Sequence, residues 1–139
     1  MNCNPPSLPD PVAAALAAHP PFIRAQLLQV RAEIFALARE TGTGPLTETL
    51  KWGEPAYLTE ATKAGTTIRL GRVRRRSGAA VLFNCRTTLI DGLRDQFGDL
   101  FQFDGNRALI LPEAPDRAAL RLCLARALTY HRDKRTARA

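Results

Sequence analysis

Hydrophobic residues recur at helical spacing in the first third of the chain. Between Pro21 and Thr41 the apolar positions alternate between four and three residues apart, at Ile23, Leu27, Val30, Ile34 and Leu37. This spacing places them on one face of an α-helix. Proline at position 21 suits the first turn of that helix, and the segment 41–45 (TGTGP) is predicted to end it.

Shorter apolar segments predict the rest of the architecture. Strand-like composition occurs at 48–52, 56–58, 66–70, 79–83 and 108–111. Further helices are predicted at 12–18, 89–97 and 116–131, and Gly53-Glu54-Pro55 is predicted to be a turn. Consecutive strands flanked by terminal helices predict an α+β fold, with an antiparallel β-sheet packed by the N- and C-terminal helices on one side.

The length of the chain favours one domain. Its 139 residues are close to the usual domain size, and 45 % hydrophobic residues are enough to form one core. We expect a proline-rich, poorly ordered lead-in and a short helix over 1–19, a single domain over 20–132, and a basic tail over 133–139.

The junction between the fourth strand and the helix at 89–97 is the first candidate site. Thr88 followed by Asp91 is a capping-box pattern, and Arg86 lies just before it. Because a helix N-terminus and a guanidinium both favour anions, we predict that Arg86, Thr87 and Thr88 hold a small anionic ligand. The alternative is that Thr88 only caps the helix and that Arg86 pairs with Glu54 or Asp91.

A second group of candidate residues surrounds the only tryptophan of the chain. Trp52 and Tyr57 are predicted to form an apolar wall, with Lys51 and Glu54 supplying polarity. Arg69, on the polar face of the third strand, joins the ligand-binding set. The alternative is a core tryptophan. If the first and fourth strands end at the same rim, Trp52 and the junction face one cleft.

The charge of +7 is unevenly distributed. Residues 1–60 contain four Lys/Arg and six Asp/Glu, whereas residues 61–139 contain sixteen and seven. Two clusters carry most of the excess: Arg69, Arg72, Arg74, Arg75 and Arg76, and then Arg132, Lys134, Arg135 and Arg138. Such charge favours anionic partners, so nonspecific nucleic-acid binding through these clusters is an alternative function. A solvated edge that prevents sheet aggregation would explain the same residues.

The cysteines and histidines give little indication of catalysis. Cys3, Cys85 and Cys123 form no CxxC pair, a usage typical of a reducing cytoplasm. Cys85 beside Arg86 would be the candidate nucleophile, but His19 and His131 are not at motif spacing from it. We expect His131 to cap or pack at a helix end. We expect no cofactor, no signal peptide and no membrane span.

Five segments together resemble one protein family. They are 50–58 (LKWGEPAYL), 67–71 (TIRLG), 85–89 (CRTTL), 105–108 (GNRA) and 127–131 (ALTYH). They are similar to the YdhG-like family of small bacterial domains of unknown function, which are grouped by fold with frataxin (CyaY-like) proteins. The resemblance covers roughly residues 20–132.

The resemblance implies a frataxin-like α+β sandwich and an iron chaperone as an alternative function. Iron delivery of that kind depends on clustered carboxylates, yet the long helix offers only Glu33 and Glu40. We therefore expect a cytoplasmic binding domain rather than an enzyme. Its expected partner is a small anionic ligand or an acidic protein.

Overall fold

The structure, a computed structural model, describes residues 5–84 and 86–138. Its helices are α1 (Asp10–Ala17), α2 (Pro21–Thr41), α3 (Leu89–Phe97), α4 (Arg117–Leu128) and α5 (Tyr130–Arg138). Its strands are β1 (Thr47–Lys51), β2 (Glu54–Leu58), β3 (Ile68–Gly71), β4 (Ala80–Phe83), β5 (Gln102–Asp104) and β6 (Ala108–Ile110). Strand β5 was not predicted, because its sequence Gln102-Phe103-Asp104 contains no apolar run, unlike the equally short β6.

The strands form one antiparallel six-stranded sheet in the order β1-β2-β3-β4-β6-β5. Alternate residues of the strands, including Tyr57, Ile68 and Val81, share a buried cluster with residues of the helices. The opposite face has its own small apolar cluster made of strand residues and one loop residue. The α+β class, the antiparallel sheet and the packing of helices against one face are thus confirmed. We call the helix-covered side the inner face and the other the outer face.

Helix α2 forms as its periodicity predicts. All five residues of its apolar stripe are buried, from 0 % exposed at Leu27 to 6 % at Leu37. Burying side chains of this size stabilises the fold by about 1.5–3 kcal/mol each. The helix has proline in its first turn and ends at Gly42, whose φ of 69° is left-handed.

The arginine-rich connection between β3 and β4 folds over one end of the outer face. Val73 packs on a cluster formed by Ala80, Leu82, Ala108 and Ile110. Arg76 forms an ion pair with Asp104 on β5, at 3.1 Å. This connection is therefore partly structural, while Arg72, Arg74 and Arg75 stay exposed.

The C-terminal helix predicted at 116–131 is interrupted. Helix α4 ends at Leu128, Thr129 leaves the helical conformation, and α5 continues through residues predicted to be a tail. The connection before β3 packs against this break: Thr66 N donates to the Ala127 carbonyl at 2.9 Å. A Cβ at Gly65 would overlap the Leu128 carbonyl, so glycine permits the approach. His131, expected to cap or pack at a helix end, is exposed, and its ring centroid lies 5.2 Å from that of Tyr130.

The lead-in is more firmly attached than predicted over its described part. Val12 and Leu16 of α1 are buried in the main core. Farther upstream, the Pro6 carbonyl accepts a hydrogen bond from the buried Arg31 guanidinium at 2.8 Å. The first four residues, Cys3 among them, lie outside the described part of the chain.

Candidate functional site

The tip of the β1–β2 hairpin carries Trp52. The turn consists of Trp52 and Gly53, with φ values of 56° and 77°, as in a two-residue type I′ turn. The prediction of a turn at Gly53-Glu54-Pro55 is therefore displaced, because Glu54 and Pro55 already belong to β2. Trp52 is 89 % exposed, so the alternative of a core tryptophan is wrong.

A groove of about 410 Å³ lies beside this tip, and it combines the tryptophan with several basic residues. Its lining consists of Lys51, Trp52, Thr67, Arg69, Phe83, Asn84, Arg86 and Arg107. Strands β1 and β4 run in opposite directions, so they do not end at the same rim. Trp52 and Arg86 nevertheless line one groove, which we call the outer groove.

The charges of the outer groove are only partly neutralised. Arg69 pairs with Glu54 at 2.8 Å. Lys51, Arg86 and Arg107 are exposed, and their side chains make no hydrogen bond or ion pair shorter than 4 Å within residues 5–84 and 86–138. The predicted alternative for Arg86, a pair with Glu54 or Asp91, is therefore not formed. These cations remain open to an anion.

Glu54 is the acidic member of this region. Burial raises the pKa of its carboxyl above the ordinary value, and the positive charges of Arg69 and Arg107 only partly oppose that rise. The carboxylate lies over Gly71, where a Cβ would overlap it. The absence of a side chain at Gly71 thus makes room for the Glu54–Arg69 pair.

Several N–H groups at the N-terminus of α3, where the anion site is predicted, have acceptors within the protein. Arg86 N donates to Asn84 Oδ1 at 2.9 Å, and Thr88 N donates to Tyr130 Oη at 3.1 Å. Leu89 N donates to Thr87 Oγ1 at 3.4 Å. These N–H groups are therefore already paired, and the Thr87 and Thr88 hydroxyls contact Asn84 O and Tyr130 Oη. Arg86 also lines the outer groove.

The predicted capping box is also wrong. The Thr88 side chain makes no capping hydrogen bond to the helix backbone. Asp91, the predicted reciprocal partner, lies 3.6 Å from Arg94 in an exposed ion pair one turn along the helix. The physical reason is the backbone of Thr88, whose φ of −91° and ψ of 12° depart from the extended conformation of a typical N-cap.

Tyr57 is not part of the outer groove. It is 0 % exposed on the inner face, and its hydroxyl donates to Glu48 Oε2 at 2.8 Å. Burial and this hydrogen bond raise the pKa of the Tyr57 phenol. Its side chain alternates with that of Ala56, so the pleat of β2 directs it away from the groove.

Sequence reasoning missed the buried network to which Tyr57 belongs. The Arg31 guanidinium binds both carboxylate oxygens of Glu48, at 2.6 and 2.9 Å. Arg31 also lies 5.0 Å from the ring centroid of Phe35. Two signals in the sequence pointed to this pair: Arg31 follows Leu27 by one helical turn, and Glu48 shares a strand face with Leu50.

Two other hollows on the surface match the predicted anion site less well than the outer groove does. One hollow of about 790 Å³ is lined by Phe22, Leu100 and Pro112 with the carboxylates of Asp99 and Glu113, and no cation is among its described lining residues. A hollow of about 670 Å³ contains basic residues at the C-terminal end, namely Lys63, His131, Lys134 and Arg135. Two of them, Lys134 and Arg135, belong to the C-terminal cluster predicted to favour anionic partners, but none is among the residues predicted to hold the small ligand.

The cysteines and the possible metal ligands are the remaining groups with reactive or metal-binding chemistry. Cys85, the candidate nucleophile, lies outside it. Burial raises the pKa of the Cys123 thiol to about 12, so that cysteine stays protonated. No group of three His, Cys, Asp or Glu side chains able to hold a metal occurs in residues 5–84 and 86–138.

Comparison of the chain with models of protein families, with curated proteins and with solved structures found no match. Within residues 5–84 and 86–138, no helix has the length and apolar character needed to cross a bilayer. The function of the outer groove is therefore inferred from its own side chains.

Proposed function

We propose that this protein is a small binding domain that holds an anionic ligand, or an acidic stretch of a partner protein, in the outer groove. The observation that carries the proposal is the convergence of Lys51, Arg69, Arg86 and Arg107 on one groove. Exposed arginines without an internal partner keep their fork of donors available for carboxylate or phosphate oxygens.

Several of these cations have to act together. A hydrogen bond to a charged group contributes roughly 1.5–3 kcal/mol, whereas association costs about 4–15 kcal/mol. Arg86 alone would therefore bind an anion weakly. Arg86, Lys51 and Arg107 together offset the lower part of this cost, and Arg69 adds to them when Glu54 releases it.

The YdhG-like family and its frataxin-like fold form part of the same proposal, which the five sequence segments support. We also propose a cytoplasmic location, from the absence of paired CxxC cysteines. Iron delivery agrees less well with the structure than anion binding does, because the carboxylates of the long helix are already paired. The carboxylate of Glu33 is bound by Arg117 and Arg121, and that of Glu40 by Arg121. Burial opposes ionisation of Glu33, but the two arginines outweigh it and lower its pKa.

A thermal-shift screen tests the proposal. Wild type, Arg86→Ala and Arg74→Ala are compared in inorganic phosphate, a tricarboxylate and nucleotides. Arg74→Ala removes the same charge from an exposed position of the β3–β4 connection, so it is the matched control.

We expect at least one anion to raise the melting temperatures of wild type and Arg74→Ala, because a ligand stabilises the state that it binds. The same anion should raise that of Arg86→Ala much less. Equal shifts in all three proteins, or no shift with any anion, would refute the groove as the binding site.

A further inference from the structure

The cations of the outer groove are spread over much of the sheet. Lys51 ends β1 and Arg107 precedes β6, and these strands are separated by β2, β3 and β4. At a spacing of about 4.8 Å between neighbouring strands, their backbones are roughly 19 Å apart. A single phosphate or carboxylate has too few oxygens to pair with three guanidinium forks and an ammonium group at once. An elongated ligand with several anionic groups can contact them together.

Trp52 adds a flat aromatic surface to this row of charges. It is 89 % exposed and gains little from packing. Its φ of 56° is one that bulky residues avoid, and such a conformation costs about 1–3 kcal/mol. Asparagine or glycine would fit the turn better. Residues kept in a costly conformation are frequently functional, so the tryptophan itself requires an explanation.

The ligand that matches both features is a flexible polyanion with flat, unpaired rings. An acidic peptide has the charges but no regular supply of rings, and inorganic polyphosphate has none. In a duplex the faces of the bases are covered by stacking. Single-stranded nucleic acid exposes both its phosphates and the flat faces of its bases. Stacking of one base on an aromatic side chain contributes about 1–3 kcal/mol.

We infer that the outer groove binds single-stranded nucleic acid, with phosphates on Lys51, Arg69, Arg86 and Arg107 and one base stacked on Trp52. The inference rests on the proposed function, since it specifies the ligand of the same groove. The contacts lie on the sheet face. The nonspecific alternative would instead use the exposed arginines of the β3–β4 connection and the basic cluster at the C-terminal end.

The test uses the full chain and a short thymidine oligonucleotide. Because Trp52 is the only tryptophan, its fluorescence reports directly on stacking. Binding is also measured by the anisotropy of a dye on the oligonucleotide, so that variants without Trp52 can be compared. The other probes are an abasic sugar–phosphate chain of the same length, a duplex and polyglutamate.

We expect the thymidine oligonucleotide to quench Trp52 and to bind about 5- to 150-fold more tightly than the abasic chain. Trp52→Ala should lose that difference but keep its affinity for the abasic chain. With four phosphate contacts, log K should fall with log salt at a slope of about −3, and Arg86→Ala should reduce the slope by about 0.7. Arg74→Ala should leave both affinity and slope unchanged.

Two outcomes separate this inference from the proposed function. If polyglutamate or the abasic chain binds as tightly as the oligonucleotide, and Trp52→Ala has no effect, the nucleic-acid inference is overturned while anion binding in the groove stands. If Arg69→Ala/Arg86→Ala, shown to be folded by circular dichroism, binds every probe as wild type does, both are overturned.

Discussion

Two arginine–glutamate pairs lie on opposite faces of the same sheet. On the inner face Arg31 binds Glu48 through two hydrogen bonds, and the side chains are 4 % and 7 % exposed. On the outer face Arg69 binds Glu54 through one hydrogen bond, and the side chains are 19 % and 25 % exposed. The chemistry is the same, but access to water differs.

That difference assigns the two pairs different roles. Arg31 and Glu48 are saturated by Tyr57 and by the Pro6 carbonyl, so nothing remains for a ligand. The outer pair borders a groove with further cations, and Glu54 competes with any anion for Arg69. The inner pair is thus saturated within the fold, and under the proposed function the outer pair would adjust binding.

The largest expected effect is on stability. Arg31→Ala leaves the buried Glu48 carboxylate without its cation, and removing one partner of a buried pair costs about 3–5 kcal/mol. Arg69→Ala, the matched change on the outer face, should cost less than about 1 kcal/mol. Urea unfolding measures both free energies. Similar losses for the two variants would break the comparison.

The next effect should be a gain in stability at the hairpin tip. Trp52→Asn replaces a bulky residue at positive φ by one that suits a type I′ turn, so the free energy of unfolding should rise by about 1 kcal/mol. Binding of the thymidine oligonucleotide should weaken in the same variant. Trp52→Ala is the control, because alanine keeps the unfavourable backbone and should weaken binding without that gain. A destabilised Trp52→Asn would mean that the tryptophan serves the fold.

A smaller effect concerns pH. Because the pKa of Glu54 is raised, its protonation should begin above the ordinary carboxylate value of about 4.3. Protonation removes the negative charge facing Lys51, Arg69 and Arg107, so affinity for the oligonucleotide should increase as pH falls, by up to about fivefold. Glu54→Gln should bind more tightly at neutral pH and lose this dependence. An unchanged pH profile in the variant would show that another group titrates.

The same raised pKa has a consequence for stability. Between the ordinary and the raised value, the folded chain holds the Glu54 proton more tightly than the unfolded chain does. The contribution of this group to stability therefore decreases as pH rises through that interval. Glu54→Gln should remove that slope, which urea titrations at several pH values would detect.

The smallest expected effect comes from Gly71→Ala. Its methyl group would displace the Glu54 carboxylate from Arg69, and stability should change little because the displaced atoms end a flexible side chain. Affinity for the oligonucleotide should rise slightly. In a Glu54→Ala background the substitution should have no further effect on affinity. If Gly71→Ala still changed the affinity in the Glu54→Ala background, the cause would lie outside the Glu54–Arg69 pair.

Local patterns predicted much of the fold. The stripe on α2 and the bounds of α3, at 89–97, agree with the structure. Five of the six strands were predicted to within about two residues, a usual boundary error. The three-residue strand β5 and the break before α5 were not predicted. Strand β5 pairs with the neighbouring β6, but its residues Gln102, Phe103 and Asp104 contain no apolar run. The break in the helix depends on a partner distant in the sequence, the connection around Gly65.

For the candidate site, too, the sequence predicted some features and the tertiary structure decided the others. Composition alone indicated basic charge and an aromatic residue near Lys51, Trp52, Arg69 and Arg86. The pleat separates Tyr57 from that group, since alternate residues of β2 face opposite sides of the sheet. The pairing of distant strands then brings the hairpin tip and Arg86 to one groove, although β1 and β4 end at opposite rims. Periodicity determines which face of an element is apolar, whereas long-range strand pairing determines which polar residues meet.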